Sequence, residues 1–341
     1  MESRRLQPCE NQIEYMELSV TIPCYNEEDS LSELYNRVTN ICLSCCPNGS
    51  YEIILVNDGS KDNTWSMIAE LSRNDQHIVG INLSRNYGHQ IALSAALQFA
   101  RGRRIFILDA DLQDPPELLP NMMTRMDEGI DVVYGQRVSR NGETWFKKGT
   151  AYLFYRFLNV MTDVKIPNDT GDFRLISRRA VDILNKMPEQ YRFIRGMVSW
   201  IGLKQEAMPY ERSARFAGTT KYPISKMFRL AADAITSFSV RPLRIASHVG
   251  LYLSLITFIM MMYIFINYFT GHPLRGWTSL MVMILALGSV QLLVLGVIGE
   301  YLGRLYMQAK GRPLFLVESI VGRNENGEKD IVCTIGKSDN S

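Results

Sequence analysis

Residues 108–117 read LDADLQDPPE, four carboxylates in ten positions at the end of the apolar run RRIFILDAD. Asp109 and Asp111 lie two apart, so in extended chain both side chains point to the same side. Two like charges side by side repel, and a hard divalent cation, Mg²⁺ or Mn²⁺, would resolve the repulsion. A solvated acidic turn has the same spacing, and D-x-D alone leaves both readings open. Asp114 and Glu117 have a local explanation. Asp114 precedes Pro115, Pro116 and a helix-like LLPNMMTRM, which predicts an N-cap with Glu117 three residues on, reaching back or favouring the helix dipole.

Alternating elements would have to position these acids. LSVTIPCY reads as a strand, followed by a helix with Leu31, Leu34, Tyr35, Val38 and Ile41 on one face. YEIILV, HIVGINLS, RRIFILD and DVVYGQR continue the strand series, with helices near 62–72 and 90–100 between them. Apolar strands alternating with helices predict an α/β fold with a mostly parallel, Rossmann-like sheet covered on both faces. Ligands bind such sheets at the carboxyl ends of the strands. The polar clusters CYNEE, NDGSKD, SRNYGHQ and DADLQD follow four successive strands. Four such clusters in a row favour a metal–nucleotide site over four ordinary turns.

The chain has 341 residues, 46% hydrophobic and 21% charged, with a net charge of +2. That length suits one large domain or two ordinary ones, but the average hides a division. Residues 246–269 and 276–299 carry no formal charge, and each run is long enough to cross a hydrocarbon core of about 30 Å. The connector TGHPLR makes them a hairpin. Arg229, Arg241 and Arg244 precede the first run and Arg304, Lys310 and Arg312 follow the second, against Arg275 alone in the connector. The positive-inside rule then predicts an integral inner-membrane protein with both termini and the soluble domain cytoplasmic. The N-terminal MESRRLQPCENQIEYMEL has no apolar stretch and does not read as a signal peptide.

The expected organisation is a tail (1–17), a soluble domain (18–222), an amphipathic juxtamembrane helix (223–244), the two spans within 245–303, and a cytoplasmic segment (304–341). From Tyr191 to Arg244 ten Lys/Arg face three acids. Ile224, Met227, Phe228, Ala231, Ile235 and Phe238 recur there at helical spacing, which suits a helix lying on the bilayer. Those basic residues either anchor the domain to anionic lipid or hold the phosphate of a membrane-dissolved substrate. Cys42, Cys45 and Cys46 cluster like half of a zinc site, but no second Cys/His pair follows at ligand spacing, so reduced structural thiols are expected. Gly299 and Gly303 form a G-x-x-x-G that favours helix packing, and Glu300 and Arg304 suit an exposed i,i+4 pair.

The segments TIPCYNEE, VNDGSKDNT, SRNYGH, LDADLQDP, TGDFRL and FAGTTKYP together resemble family-2 glycosyltransferases that charge polyprenyl phosphates with sugars. Bactoprenol glucosyltransferases are the nearer likeness and dolichol-phosphate mannose synthases the more distant. The likeness covers about residues 18–318, including HPLRGW and GVIGEYLGRLY. It implies a GT-A fold in which Pro23, Tyr25, Glu27 and Arg85 line a nucleotide pocket and Asp58 reads the base. Asp109, Asp111 and Gln113 would surround the metal, and Asp172 of TGDFRL would lie near the reacting centre. Arg137, Arg215 and Lys221 would gather phosphates.

The implied reaction is inverting transfer of a hexose, glucose from UDP-glucose first, to undecaprenyl phosphate, supplying a lipid-linked sugar for cell-surface glycans. Another sugar, another lipid acceptor such as diacylglycerol, or a silent nucleotide-binding scaffold are the alternatives. The likeness suggests a homotetramer, and a nucleic-acid partner is not expected. His89 stands where relatives often carry Lys, which argues against a cationic role there. The Q-x-x-R-W signature of processive polysaccharide synthases is absent.

Overall fold

The structure, a computed structural model, describes residues 16–138, 170–211, 239–270 and 276–322. Eight strands form one sheet: β1 (Leu18–Cys24), β2 (Tyr51–Asn57), β3 (Ile78–Leu83), β4 (Arg104–Ile107), β5 (Val132–Arg137), β6 (Thr170–Ser177), β7 (Gln205–Tyr210) and β8 (Val317–Val321). Their spatial order is β7-β5-β6-β4-β1-β2-β3-β8. The central β4-β1-β2-β3 block is parallel, as the alternating pattern predicts. Its helices are α1 (Leu31–Cys45), α2 (Thr64–Asn74) and α3 (His89–Phe99), followed by a 3₁₀ turn (Pro116–Leu118) and α4 (Leu119–Asp127). Continuous burial along β1 and β2 reflects helices on both faces. One buried cluster lies beneath α1, α2 and α4, with Leu31, Leu34, Val38, Ile68 and Met122 packed on Val20, Ile22 and Phe106. The other lies beneath α3, α5 (Arg178–Lys186) and α6 (Ile194–Ile201).

The series does not simply continue with β5. Strand β6 lies between β4 and β5 and runs antiparallel to both. TGDFRLIS hides this strand from a hydrophobicity reading because Thr170, Asp172 and Arg174 are polar yet buried. They share one face, since side chains alternate, while Phe173 and Leu175 on the other face join the core. Phe173 packs edge-on against Phe106 and Tyr210, at 5.4 Å from each ring.

Two long helices follow, α7 (Arg241–Phe269) and α8 (Trp277–Ala309). Both are long and apolar enough to cross a membrane, and at most 6% of either apolar window is buried within the protein. A soluble core helix would be covered; these are not. At 33 residues α8 is about 50 Å long, so its last turns continue past the apolar run. Arg304 and Glu300 pair there at 2.9 Å, one turn apart. The chain then returns to the sheet it left, because β8 pairs antiparallel with β3. The expected amphipathic stretch at 223–238 and the connector at 271–275 lie outside the described residues.

The cysteine cluster packs into the core. Cys42 and Cys46 are buried, and Cys24, Cys42, Cys45 and Cys46 are free thiols. Burial pushes the Cys46 thiol up to about 11 and raises Cys42 and Cys45 as well, which keeps them protonated and inert.

Candidate active site

The loops following β1, β2, β3 and β4 meet at one edge of the sheet, and stitching between them fixes their shape. Asn26, at φ +54°, receives the Lys61 amide on its side-chain oxygen and donates its own amide to Ser60. The Glu27 amide donates to Thr64 Oγ1 at 2.9 Å. Gly59 needs its missing Cβ twice over. Its φ is +65°, and a Cβ would lie 2.6 Å from the Asn86 amide nitrogen. Pro23 is buried at the end of β1, Tyr25 and Glu27 are part-exposed just beyond it, and Arg85 is exposed in the loop after β3 with its guanidinium over the Tyr87 ring.

Asp58, expected to read a base, is 3% exposed and braces a loop. Its two oxygens accept the Tyr87 and Gly88 amides at 2.7 and 2.9 Å, and its carbonyl accepts Asn86 Nδ2. Burial raises its carboxyl, opposed by those two amides. Asp58→Asn turns one acceptor into a donor facing an amide N–H, and we expect a loss of about 2 kcal/mol. Chemical unfolding of the full-length protein in detergent measures it; an unchanged midpoint removes the brace.

The acidic pair lies in the turn after β4, not in extended chain: β4 ends at Ile107, and Leu112 adopts φ +56°. Strand alternation therefore does not set the direction of Asp109 and Asp111. Asp111 Oδ1 accepts the Gln113 amide at 3.2 Å, which draws these residues into one turn. Asp109 Oδ1 is buried without a hydrogen-bond partner. Burial first, then repulsion from Asp172, Asp114 and Asp111, holds the Asp109 carboxyl up to about 6 against the attraction of His89. A buried oxygen with no hydrogen bond, close to three other carboxylates and with only His89 Nε2 at 3.5 Å to offset them, fits a hard divalent cation. No group of three His, Cys, Asp or Glu side chains converges as a metal cage among the described residues. Mg²⁺ needs none where one or two carboxylates and substrate phosphates complete its shell.

Asp172 lies beside this turn by register. Ile107 pairs with Arg174 in the antiparallel β4–β6 ladder, so the next inward-facing position of β6 stands opposite Asp109. Asp172 is 4% exposed. Its Oδ2 accepts from His89 Nε2 at 3.1 Å and Gln90 Nε2 at 2.9 Å, and its Oδ1 lies 3.0 Å from Arg195 Nε. Burial alone would raise its carboxyl; Arg195, His89 and Arg174 override this and hold it far below the usual carboxylate range. Burial also brings Arg174 down to about 10.

His89 corrects the sequence expectation. Its Nε2 stands 3.1 Å from Asp172 and 3.5 Å from Asp109. Burial opposes protonation, but the Asp109 charge and the Asp172 hydrogen bond prevail and hold the imidazole up to about 9. These neighbours favour the protonated ring, whose Nε2 faces both carboxylates.

The Asp114 cap is also corrected. The helical turn after Pro115 shows no side-chain cap hydrogen bond. Asp114 is buried and accepts from the Tyr210 hydroxyl, with Arg137 Nη2 at 3.9 Å. Arg137 Nε in turn donates to that hydroxyl at 3.3 Å. A capping pattern cannot reveal a partner about a hundred residues away. Glu117 stands in the first helical turn, as the dipole reading expects, and forms a two-point pair with Arg37 at 2.8 and 2.9 Å. Gln90, Arg174 and Arg195 were missed. Arg195 carried a usable signal, as a lone charge in the apolar run FIRGMVSW. Arg215 and Lys221 lie outside the described residues.

The pattern of glycosyl transferase family 2 matches residues 19–184, and that of the GtrB C-terminal hairpin matches 241–305. The chain is 46% identical over 309 residues to the glycosyltransferase YkcC of Bacillus subtilis, covering 90% of this chain and 95% of that one. The chain belongs to glycosyl transferase family 2. It is a glycosyltransferase of GT-A architecture with a membrane-associated hairpin. It is also 37% identical to the bactoprenol glucosyl transferase of Shigella phage SfV, covering 89% of this chain and 99% of that one. Among solved structures, S. aureus TarS 1–349 in complex with UDP-GlcNAc aligns at 17% identity and a TM-score of 0.42, over 66% of this chain and 68% of that one.

Proposed function

We propose that this family-2 enzyme transfers a hexose, glucose from UDP-glucose, to polyprenyl phosphate at the cytoplasmic face of the membrane. The observation that carries the reading is the buried Asp109 oxygen, without a hydrogen bond and 3.5 Å from His89, beside the Asp172–His89 pair at the strand ends where this fold binds ligands. The similarity to a bactoprenol glucosyl transferase over nearly the whole chain supports the acceptor and the sugar. A hairpin that leaves and rejoins one sheet keeps that edge close to the bilayer. The arginines flanking α7 and α8 favour the cytoplasmic side.

Asp109 and Asp111, with Gln113 beside them, would hold Mg²⁺ or Mn²⁺. Such an ion acts as a Lewis acid toward the leaving diphosphate. The remaining work falls to the chain itself. Pro23, Tyr25, Glu27 and Arg85 border the nucleotide, and Asp58 shapes that wall while keeping lone pairs for the base. The acceptor phosphate is largely ionised near neutral pH, so it needs orientation more than a strong base. Asp172 orients sugar or acceptor, and the His89 cation offsets the charge of both neighbouring carboxylates. Arg137, steadied by Asp114 and Tyr210, together with Arg215 and Lys221, lessens repulsion between the two anions. In-line attack on an α-linked donor yields a β-linked lipid phosphate sugar.

Incubating the enzyme with a panel of nucleotide sugars and either polyprenyl phosphate or diacylglycerol, then weighing the lipid product, tests the reading. A polyprenyl phosphohexose from UDP-glucose is expected. Product on diacylglycerol alone, or none with any donor, would overturn it. Arg215→Ala is expected to raise the KM for polyprenyl phosphate about 10-fold, the loss of one charge-assisted contact, with the donor KM unchanged. An unaltered acceptor KM counts against that role.

A further inference from the structure

We propose that Gln308, near the end of the membrane helix α8, is a positioning residue for Asp172, acting through the strap at residues 187–193 that joins α5 to α6. The inference rests on the role proposed above for Asp172.

One side of the strap is fastened to α8 and the residues just after it. Gln308 Nε2 donates to the Pro188 carbonyl at 2.6 Å, and Gln308 Oε1 accepts the Gln190 amide at 2.9 Å. Both ends of one side-chain amide are thus spent on the strap. Gln190 Nε2 donates to the Arg312 carbonyl at 2.7 Å. The Arg304 guanidinium lies 4.5 Å above the Tyr191 ring while Glu300 holds it from one turn away. The strap is also tied to its own domain, because the buried Arg192 guanidinium donates to the carbonyls of Leu184 and Met187.

The other side of the strap runs directly into the site. The Ile194 amide, four residues after Gln190, donates to Gln90 Oε1 at 2.8 Å, and Gln90 Nε2 donates to Asp172 Oδ2 at 2.9 Å. Arg195 places Nε 3.0 Å from Asp172 Oδ1 and donates from Nη1 to the Thr170 carbonyl at 2.9 Å. Arg195 of α6 thus stands against one oxygen of Asp172, and Gln90, which shares the other with His89, is tied to the first residue of α6. A seven-residue strap fastened at both ends has little slack. A shift of α8 moves Pro188 and Gln190, and with them the donors that aim Asp172. For an enzyme whose acceptor stays in the bilayer, this ties the reactive carboxylate to the element that senses bilayer position.

Spatial intermediacy alone does not establish coupling; a double-mutant cycle does. In full-length protein in nanodiscs, Gln308→Ala is expected to lower kcat 5- to 10-fold with the donor KM unchanged within twofold and the thermal midpoint preserved. Gln190→Ala is expected to do the same. Gln308→Ala combined with Gln90→Ala is expected to fall no further than the weaker single variant, although Gln308 and Gln90 do not touch. Unchanged kcat in Gln308→Ala, factors that multiply in the double variant, or a loss confined to stability would each overturn the proposal. Asp172→Asn in the same assay keeps the two ideas apart. Its full activity would remove the role of Asp172 itself, whereas a Gln308→Ala loss that still multiplies onto the residual activity of Asp172→Asn removes only the strap.

Discussion

Asp111→Asn is expected to lower kcat by about 10³-fold, roughly 4 kcal/mol of barrier, while the protein keeps its fold. Asn preserves the side-chain oxygen that accepts the Gln113 amide, so the turn after β4 retains its internal bond. The change removes one of the charges that repel Asp109, so stability is expected to hold or rise slightly, as is common where a site stores repulsion for function. What is lost is one of two anionic ligands for a hard cation, and with it the stabilisation of the leaving diphosphate. Turnover in detergent with saturating Mg²⁺, alongside thermal unfolding, provides the check. Full turnover by the variant would contradict the assignment of Asp111.

Asp172→Asn is expected to fail in a different way, losing about 10²-fold in kcat and about 3–5 kcal/mol of stability together. The wild-type carboxylate is buried against His89, Arg195 and Arg174. A neutral amide leaves the buried Arg174 and the part-exposed His89 and Arg195 without their counter-charge. The contrast is the useful part. Two acids in one pocket should separate, one carrying activity at no structural cost and the other carrying both. Denaturant unfolding of Asp172→Asn that matches wild type would show that these three cations do not depend on it.

The parallel core was legible because β1 to β4 are short apolar runs closed by polar turns, a pattern set by burial on both faces. Strand β6 was not, since its buried face is made of Asp172 and Arg174, side chains that a hydrophobicity reading assigns to solvent. Only the antiparallel pairing with β4, across a long stretch of chain, makes their burial tolerable by bringing His89 and Arg195 to them. The same limit explains Asp114. Capping is local and was the natural reading of Asp-Pro-Pro-Glu, but Tyr210 and Arg137 arrive from strands that sequence spacing cannot bring together. Strand β8 was hidden behind the membrane hairpin, where nothing in VESIV indicates that it closes the sheet against β3. The chemistry-bearing residues at the strand ends were the most legible part. Loop position and residue type identify them, while their partners are set by tertiary contacts.

The measurement that bears most directly on the central claim is binding of Mn²⁺ to the full-length enzyme, followed by electron paramagnetic resonance with and without a nucleoside diphosphate. One tightly bound ion per chain is expected when the diphosphate is present, and at least 10-fold weaker binding in Asp111→Asn. Equal binding by wild type and Asp111→Asn, or no ion retained with the diphosphate in place, would contradict it.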